Sequence, residues 1–292
     1  MPPHIPVLAG PSVDALAIRS DGTYVDATFG AGGHSALILN ALGGAGRLIA
    51  FDADPSVGAR AIADPRFTLV HANFRDLASR LDVLGIARID GVLFDLGVSS
   101  MQFDEGERGF SFRTAAPLDM RMDPTAGESA ADLLASRDEH ELADVIYRYG
   151  EERKSRRIAR AIVALRDAGT PVRDTADLAN VVARAVRAPA HSRIHPATRT
   201  FQALRIAVND ELGALREGLD AALARTATGG RIAVISFHSL EDRIVKHTFR
   251  EDARVRAVSR KPIVAGQDEL AMNPRARSAK LRVAERIDEA AA

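Results

Sequence analysis

Short apolar runs alternate with longer stretches of helical periodicity along the N-terminal third of the chain. The apolar runs are rich in β-branched and aromatic residues and lie at 24–28, 47–51, 67–71 and 90–96. Strands that alternate with helices predict right-handed crossovers and a parallel sheet covered by helices. Ligands of such sheets bind beyond the carboxyl ends of the strands, so residues at those ends are candidate site residues.

The pattern changes after residue 97. A loop rich in Gly, Phe, Arg and Met occupies 97–123, and from 129 to about 190 the periodicity is helical. One helix is predicted over 151–168, and another is predicted to begin at Asp174 or Thr175, which are good N-cap residues. The lack of any strand pattern predicts an all-helical domain in this part of the chain.

Strand patterning returns towards the C-terminus. An apolar run at 231–236 is followed by a predicted helix from about Ser239 and by β-type segments near Val255 and 281–283. We therefore predict an α/β fold in two domains. Residues 1–105 and 206–292 would form a discontinuous sheet domain, and residues 106–205 an inserted helical domain.

The composition is that of a globular protein, with 46% hydrophobic and 27% charged residues among 292. The chain has no cysteine, which excludes disulfides, thiolate metal sites and cysteine nucleophiles. No apolar run approaches the ~18 residues of a membrane span, and no secretion signal is evident. We expect a soluble, cytoplasmic protein.

We expect no metal site, because His191 and His195 lack a carboxylate to complete a ligand set.

Two basic segments lie within a chain whose formal net charge is zero. Over 151–205, Lys and Arg outnumber Asp and Glu by 12 to 5, and over 250–282 by 9 to 4. Such clustering favours a face that binds a polyanion. The alternative is that these cations lie on ordinary solvated helix surfaces.

The turn after the first predicted strand has the composition of a nucleotide-type cofactor site. It reads FGAGGHS over 29–35, and Asp52 ends the next apolar run. Glycines let the backbone pass close to a ligand, and an acid about 20 residues on can accept hydrogen bonds from a ribose. A dinucleotide fingerprint would have Gly or Ala where Ser35 stands, so NAD is disfavoured and S-adenosylmethionine (SAM) fits better. A plain connecting loop is the remaining alternative.

Two further candidates follow the fourth and fifth predicted strands. Asp95 could orient an amine acceptor or bind the amino-acid end of a cofactor; alternatively, it caps the following turn. Ser236 begins the sequence SFHSLED, in which Ser239 and Asp242 have the spacing of a helix N-cap. A Ser-His-Asp hydrolase is the rival interpretation, and the lack of a Gly-x-Ser-x-Gly elbow disfavours it.

The loop over 108–123 contains RGFSFR and PLDMRMD. Its Phe and Arg side chains are suited to stacking on an unstacked base, or they pack beneath the helical domain.

Seven segments, in this order, together resemble the family of bacterial ribosomal RNA small subunit methyltransferase H, also called MraW. They are HIPVL (4–8), DATFGAGGHS (26–35), DLGVSS (95–100), RGFSF (108–112), PLDMRMD (117–123), FQALRIAVN (201–209) and ISFHSLEDR (235–243). The resemblance implies a class I SAM-dependent methyltransferase (Rossmann-like) sheet with a helical substrate-recognition insert. It implies N4-methylation of a specific cytidine in the decoding region of 16S rRNA.

The resemblance also assigns partners and site residues. The partner would be 16S rRNA or the 30S subunit, with no DNA or membrane partner, and a homodimer is an option. Carried over by motif, the cofactor-binding residues are Gly32, Gly33, His34, Asp52, Phe74, Asp95 and Gln102. Asp52 would bind the ribose hydroxyls, Phe74 would lie against the adenine, and Gln102 would close the pocket.

The chain departs from other amino-methyltransferases after the fourth strand. Those enzymes usually have Asp/Asn-Pro-Pro-aromatic, whereas this chain has DLGV from Asp95. The aromatic surface for the base must then come from elsewhere, with Phe103, Phe110 and Phe112 as candidates.

The exocyclic amine of cytosine is a poor nucleophile, so a hydrogen-bond acceptor must localise its lone pair and receive its proton. Asp95 and Ser236 are the candidate catalytic residues. The basic candidates for RNA phosphates are Arg153, Arg156, Arg157, Arg160, Arg184, Arg187 and Arg193, with Arg275, Arg277 and Lys280. The alternatives are a methyltransferase with another nucleic-acid or amine acceptor, and a non-catalytic RNA-binding assembly factor.

Overall fold

A computed structural model describes residues 6–97, 106–187 and 195–288. The chain divides into two compact units, the first formed by residues up to 97 and from 212 onward, the second by 98–211. The second unit ends later than the limit of 205 predicted for the insert, because the helix Thr198–Asn209 packs with other helices of that unit.

Seven strands of the first unit form one mixed sheet in the order β3-β2-β1-β4-β5-β7-β6. The strands are β1 Thr23–Asp26, β2 Arg47–Asp52, β3 Phe67–His71, β4 Ile89–Asp95, β5 Thr226–Ser236, β6 Val255–Ala257 and β7 Lys280–Arg286. Strands β1 to β5 are parallel, and β7 runs antiparallel to both β5 and β6. Because β2 and β3 lie on one side of β1 and β4 and β5 on the other, the strand order reverses between β1 and β4.

The predicted strands are all present, and the carboxyl ends of the five parallel strands lie within two residues of the predicted positions, whereas β7 ends three residues later than predicted, at Arg286. The largest difference is at the start of β5, which begins at Thr226 and not at Arg231. Its first part pairs with β4 across an irregularity between Ile89 and Gly91, so this segment has no regular alternation that a sequence pattern could reveal.

Side chains of the strands alternate between two hydrophobic cores, as the period of two for a strand requires. In β4, Val92 and Phe94 join one core while Leu93 joins the other. In β5, Val234 and Ile235 divide in the same way. Both faces of the sheet are therefore covered, which explains the nearly continuous apolar runs of these strands.

Helices of the two units are numbered together in chain order. They are α1 Ala9–Leu16, α2 Gly33–Ala41, α3 Leu77–Val83, α4 Ala130–Ser136, α5 Glu139–Gly150, α6 Ser155–Asp167, α7 Thr175–Val186, α8 Thr198–Asn209, α9 Glu211–Arg225, α10 Ser239–Glu251 and α11 Gln267–Met272. Within the described part of the second unit, 106–187 and 195–211, no strand is found, as the sequence predicted.

Local signals set the starts of the insert helices. Asp174 accepts a hydrogen bond from the backbone N–H of Asp177 and begins α7, as predicted. Helix α6 begins at Ser155, four residues later than predicted, because Glu151 has φ of +50° and ends α5. The apolar face of α6, with Ile158 and Ile162, packs into the core of this unit.

None of the helices in the described ranges is long and apolar enough to cross a membrane.

Candidate functional site

The carboxyl ends of β1 and β4 flank the point where the strand order reverses. In open α/β sheets this switch point opens a crevice in which ligands bind. The glycine loop follows β1, and Asp95 is the last residue of β4. Asp52 ends β2, the neighbour of β1, and Ser236 ends β5, the neighbour of β4. These predicted site residues therefore lie at one edge of the sheet.

The glycine loop needs its glycines for conformational reasons. Gly30 and Gly32 have φ of +53° and +78°, and Gly32 is the N-cap of α2. A Cβ on Gly32 would lie 3.0 Å from Cζ of Phe29, whose ring is buried. Among the described residues no side chain caps the N-terminus of α2, so the first backbone N–H groups of this helix, from Gly33 onward, have no capping acceptor there.

Asp52 is fixed to this loop by backbone hydrogen bonds. Its Oδ2 accepts from the N–H of Gly30 at 2.7 Å, and its Oδ1 accepts from the N–H of Asp54 at 2.9 Å. Burial raises the pKa of Asp52 to about 6, against the opposing effect of these two hydrogen bonds. Each carboxylate oxygen has a second lone pair, so Asp52 can still accept hydrogen bonds from two ribose hydroxyls.

His34, in the first turn of α2, has a buried side chain that is only 5% exposed. Its Nε2 lies 3.0 Å from the carbonyl oxygen of Val7, and its Nδ1 lies 3.4 Å from Oδ2 of Asp95. Burial lowers the pKa of His34, but the effects of Asp95 and Asp26 exceed it, so the net shift is upward. The imidazole therefore contacts protein groups on both of its nitrogens.

Asp95 has two inequivalent carboxylate oxygens. Oδ2 pairs with His34, whereas Oδ1 is buried and has no hydrogen-bond partner among the described residues. The backbone N–H of Asp95 donates to Oγ1 of Thr28 at 2.7 Å. The side chain as a whole is 26% exposed. Its carboxylate makes no cap hydrogen bond in the described part of the chain, so Oδ1 keeps its capacity to accept a hydrogen bond from a ligand.

Phe74 lies just beyond β3 and packs between two elements. Its ring meets Phe94 of β4 edge to face, with centroids 5.5 Å apart. On another side, a Cβ on Gly218 of α9 would lie 2.7 Å from Cδ2 of Phe74. The ring is therefore held between these two contacts, and the residue as a whole is half-buried.

Ser236 is 2% exposed, and its Oγ lies 3.4 Å from the carbonyl oxygen of Lys280. The predicted N-cap at Ser239 is wrong by one residue: His238 is the N-cap of α10 and forms a capping box with Glu241. Oε2 of Glu241 accepts from the N–H groups of Phe237 and His238 at 2.8 and 3.2 Å. The motif is thus partly structural.

Asp242 holds two cations of β7 instead of serving a catalytic triad. Its Oδ2 accepts from Lys280 at 2.9 Å and its Oδ1 from Arg282 at 2.6 Å. Burial raises the pKa of Asp242, and these two cations outweigh it, giving a net lowering.

The aromatic residues of the loop are mainly packing residues. Phe110 is 6% exposed and belongs to the core of the second unit, so it is not available to stack on a base. Phe112 is half-buried; its ring centroid lies 4.6 Å from that of His195 and 4.9 Å from that of Phe201. Phe103 lies outside the described residues.

Hydrogen bonds fix the rest of this loop. Nδ2 of Asn209 donates to the carbonyl oxygen of Met120, and Arg108 donates to those of Arg121 and Met122. Three other residues singled out from the sequence, Gln102, His191 and Arg193, lie outside the described residues.

Asp26, which ends β1, belongs to this cluster and was not among the site residues predicted from the sequence. It is fully buried; its Oδ2 accepts from Oγ of Ser35 at 2.7 Å and its Oδ1 from the N–H of Thr28 at 3.2 Å. Burial raises the pKa of Asp26, with His34 opposing. The available signal was an acid that closes an apolar strand immediately before the glycine loop.

These features together match what SAM requires. The loop after β1 allows a close approach of the backbone to a ligand, Asp52 offers ribose acceptors, Phe74 offers a planar surface, and Asp95 has an oxygen with no partner among the described residues. The sheet, with one antiparallel strand β7 between β5 and β6, has the class I methyltransferase arrangement. Fold and site therefore define a SAM-dependent methyltransferase.

Sequence comparison identifies the family. The model of the MraW methylase family matches residues 1–287, and the chain belongs to this family. A protein of Methylibium petroleiphilum named ribosomal RNA small subunit methyltransferase H is 54% identical, covering 98% of this chain and 96% of that protein. A protein of the same name from Neisseria meningitidis serogroup B is 52% identical, covering 97% and 92%.

Solved structures are more distant. An rRNA methylase from Streptococcus thermophilus has 12% identity and a TM-score of 0.47, covering 98% of this chain and all of that one. A SAM-dependent O-methyltransferase from Thermotoga maritima has 9% identity and a TM-score of 0.44, covering 99% and 69%. With these low scores, the family assignment depends on the sequence comparisons alone.

Proposed function

We propose that this protein transfers the methyl group of SAM to N4 of a specific cytidine in the decoding region of 16S rRNA, in the cytoplasm. The observation that carries the proposal is the buried Oδ1 of Asp95, which has no partner among the described residues and lies at the switch point. A carboxylate oxygen only accepts hydrogen bonds, so it suits a group that carries N–H, such as the exocyclic amine of cytosine. The family and the names of its relatives support an rRNA substrate.

The residues at the sheet edge divide the work of cofactor binding in this proposal. Asp52 binds the ribose hydroxyls, and the ring of Phe74 lies against the adenine. Gly32 and Gly33 allow the backbone to approach the methionine part. Gln102 stays a predicted contact that closes the pocket. Bound SAM supplies the methyl group.

Asp95 is the first candidate for the catalytic acceptor. If its Oδ1 accepts an N4–H, the lone pair of that nitrogen becomes less delocalised into the ring and a route for the proton is provided. Ser236 is the second candidate, because its Oγ keeps acceptor capacity beside the Lys280 carbonyl. Ser236 is a neutral acceptor, so it attracts the positive charge that develops on N4 less strongly than a carboxylate does. For the same reason it does not stabilise the positively charged sulfonium of the ground state.

We propose that the helical unit binds RNA phosphates through a basic patch. Nζ of Lys154, which precedes α6, donates to the carbonyl oxygen of Val186 at the end of α7 at 2.6 Å. This hydrogen bond brings the start of α6 and the end of α7 together. The patch consists of exposed arginines from both segments: Arg153, Arg156, Arg157, Arg184 and Arg187.

The members of the patch differ from other predicted phosphate contacts. No ion pair is found for these five arginines within the described ranges. Arg160 instead contacts Glu139 at 3.3 Å, and Lys280 pairs with Asp242. Cations already paired with carboxylates have less to gain from a phosphate, so the five unpaired arginines are the better candidates.

The salt dependence of RNA binding tests the patch. Substituting Arg156→Gln and Arg157→Gln should lower the slope of log K against log salt by about 0.7 for each lost contact to single-stranded RNA, and leave SAM binding unchanged. Arg148→Gln is the matched control, because Arg148 is 70% exposed and pairs with Asp144. An unchanged slope in the double variant would remove the patch from RNA binding.

The reaction itself is tested with labelled SAM and 30S subunits that lack their native base methylation. We expect N4-methylcytidine after nuclease digestion and mass spectrometry of the nucleosides. No incorporation by a protein whose cofactor binding is confirmed separately would favour another acceptor or a binding-only role. Light scattering of the purified protein would test the predicted option of a homodimer.

A further inference from the structure

The geometry around His34 points to a positioning residue: we infer that His34 holds Asp95 in one orientation, so that Oδ1 can accept from an N–H donor of the bound cofactor or substrate. This inference rests on the proposed function and deepens it. From its motif alone, His34 is predicted to contact the cofactor directly. Its side chain is only 5% exposed and both of its nitrogens face protein oxygens, so it acts on a ligand through Asp95.

The partners of the imidazole determine where its protons are. Nε2 faces the carbonyl oxygen of Val7 at 3.0 Å, and a carbonyl only accepts, so Nε2 carries a proton. Nδ1 faces Oδ2 of Asp95 at 3.4 Å, and an ionised carboxylate also only accepts. Attraction on both sides requires both protons, which makes His34 a buried imidazolium. The raised pKa of His34 agrees with this assignment.

Asp95 is held from a second direction. Its backbone N–H donates to Oγ1 of Thr28, and the backbone N–H of Thr28 in turn donates to Asp26. Thr28 therefore holds the backbone of Asp95 while His34 lies 3.4 Å from its Oδ2, so the carboxylate is restrained from two directions. Oδ1 is buried without a partner among the described residues. An acceptor in this condition costs stability in the free protein, and a ligand donor removes that cost.

The charged groups that face His34 are Asp95 and Asp26. Asp26 is fully buried, and its two carboxylate oxygens accept from Ser35 and Thr28. Its role is to stabilise the positive charge of His34. That charge offsets the charge of Asp95, which would otherwise stand uncompensated at the switch point.

Two groups could donate an N–H hydrogen bond to Oδ1. The ammonium of the methionine part of SAM is one, and the exocyclic amine of cytosine is the other. Both have the same hydrogen-bonding chemistry, and the experiment distinguishes them. The methionine part is present in S-adenosylhomocysteine but absent from 5′-methylthioadenosine.

A double-substitution cycle tests the inference. His34→Gln, Asp95→Asn and the combined protein are compared for binding of S-adenosylhomocysteine and 5′-methylthioadenosine by calorimetry, and for methyl transfer to 30S subunits. We expect each single substitution to reduce either the affinity for S-adenosylhomocysteine or the rate of methyl transfer by about 10- to 100-fold. This is the range for a hydrogen bond to a charged group. In the Asp95→Asn background, His34→Gln should then add less than about a twofold loss, because its partner has already been changed.

Comparing the two measurements, ligand affinity and methyl transfer, identifies which N–H group donates to Oδ1. A loss in S-adenosylhomocysteine affinity with unchanged 5′-methylthioadenosine affinity assigns Oδ1 to the cofactor ammonium. A loss in methyl transfer with unchanged affinities assigns it to the substrate amine. Losses that multiply in the combined protein would show that His34 acts independently of Asp95 and would overturn the inference, as would a His34→Gln protein with no loss in either quantity.

Ser35→Ala is the control for a purely structural effect. It removes a hydrogen bond from the same buried cluster without touching Asp95. We expect it to lower the unfolding midpoint while its losses in affinity or transfer, if any, add to those of Asp95→Asn. If the unsubstituted protein transferred no methyl group, the proposed function would fail, and the cycle in S-adenosylhomocysteine binding alone would decide the role of His34.

Discussion

Replacing Gly218 by alanine should destabilise the contact between α9 and Phe74, contrary to what helix propensity alone suggests. In the interior of a helix, Gly→Ala normally stabilises by about 1 kcal/mol. Here the new Cβ would lie 2.7 Å from Cδ2 of Phe74 and 3.3 Å from its carbonyl oxygen. The ring cannot move freely, because its other side meets the fully buried Phe94. Overpacking of this kind costs about 1–3 kcal/mol.

The two effects can be separated with a second substitution. In a Phe74→Ala background the ring is gone, so Gly218→Ala should regain most of its helix-propensity benefit. The coupling between the two positions, measured by urea unfolding, should therefore be about 1–3 kcal/mol. The comparison requires that the denaturant slopes of the four proteins agree.

The same substitution bears on the cofactor. If Phe74 lies against the adenine, displacing its ring should weaken S-adenosylhomocysteine binding by about 2- to 12-fold, the range expected for an aromatic contact. Equal stabilisation by Gly218→Ala with and without the Phe74 ring would refute the reasoning, because the ring would then not fill the space beside Gly218. An unchanged affinity in a protein with a displaced ring would remove Phe74 from adenine binding.

Two other predictions concern the ribose acid and the glycine loop. Because the pKa of Asp52 is raised to about 6 and ionised oxygens accept hydroxyl hydrogens best, S-adenosylhomocysteine affinity measured by calorimetry should rise as pH increases through that value; a flat profile would contradict the ribose assignment. Gly32→Ala and Gly85→Ala both place alanine at positive φ, +78° and +69°, and share a cost of about 1–2 kcal/mol. Only at Gly32 would the Cβ also press on Phe29, so thermal unfolding should show the larger loss there, together with weakened cofactor binding, while Gly85→Ala binds normally.

Asp52 also links cofactor binding to stability. A carboxyl group whose pKa is higher in the folded than in the unfolded protein favours the folded state at low pH, and that contribution is lost as pH rises through about 6. At neutral pH the free protein therefore holds an ionised, mostly buried acid at a cost. Ribose hydroxyls that donate to it offset part of this cost, so the same residue that weakens the empty fold can strengthen binding.

The sequence predicted more of the sheet than of the site. Strand ends were accurate because an apolar run and the polar residue that follows it are adjacent in the chain, as at Asp52 and Asp95. The helix start at Asp174 was accurate for the same reason, since an N-cap is a contact over three residues. The error at Ser239 has a related cause: two overlapping capping patterns were available, and the reach of Glu241 back to two backbone N–H groups selected His238.

By itself, the sequence determined the alternation of strands and helices, the glycine loop with its acid, the helical character of the insert and the family. Only the tertiary structure decided that His34 pairs with Asp95, that Asp26 lies buried beside them, that the ring of Phe74 rests on Gly218, and that Phe110 is a core residue. Periodicity and capping operate within one or two turns of chain. The order of strands in the sheet brings together groups from distant segments, and no local pattern encodes which side chain will then face which.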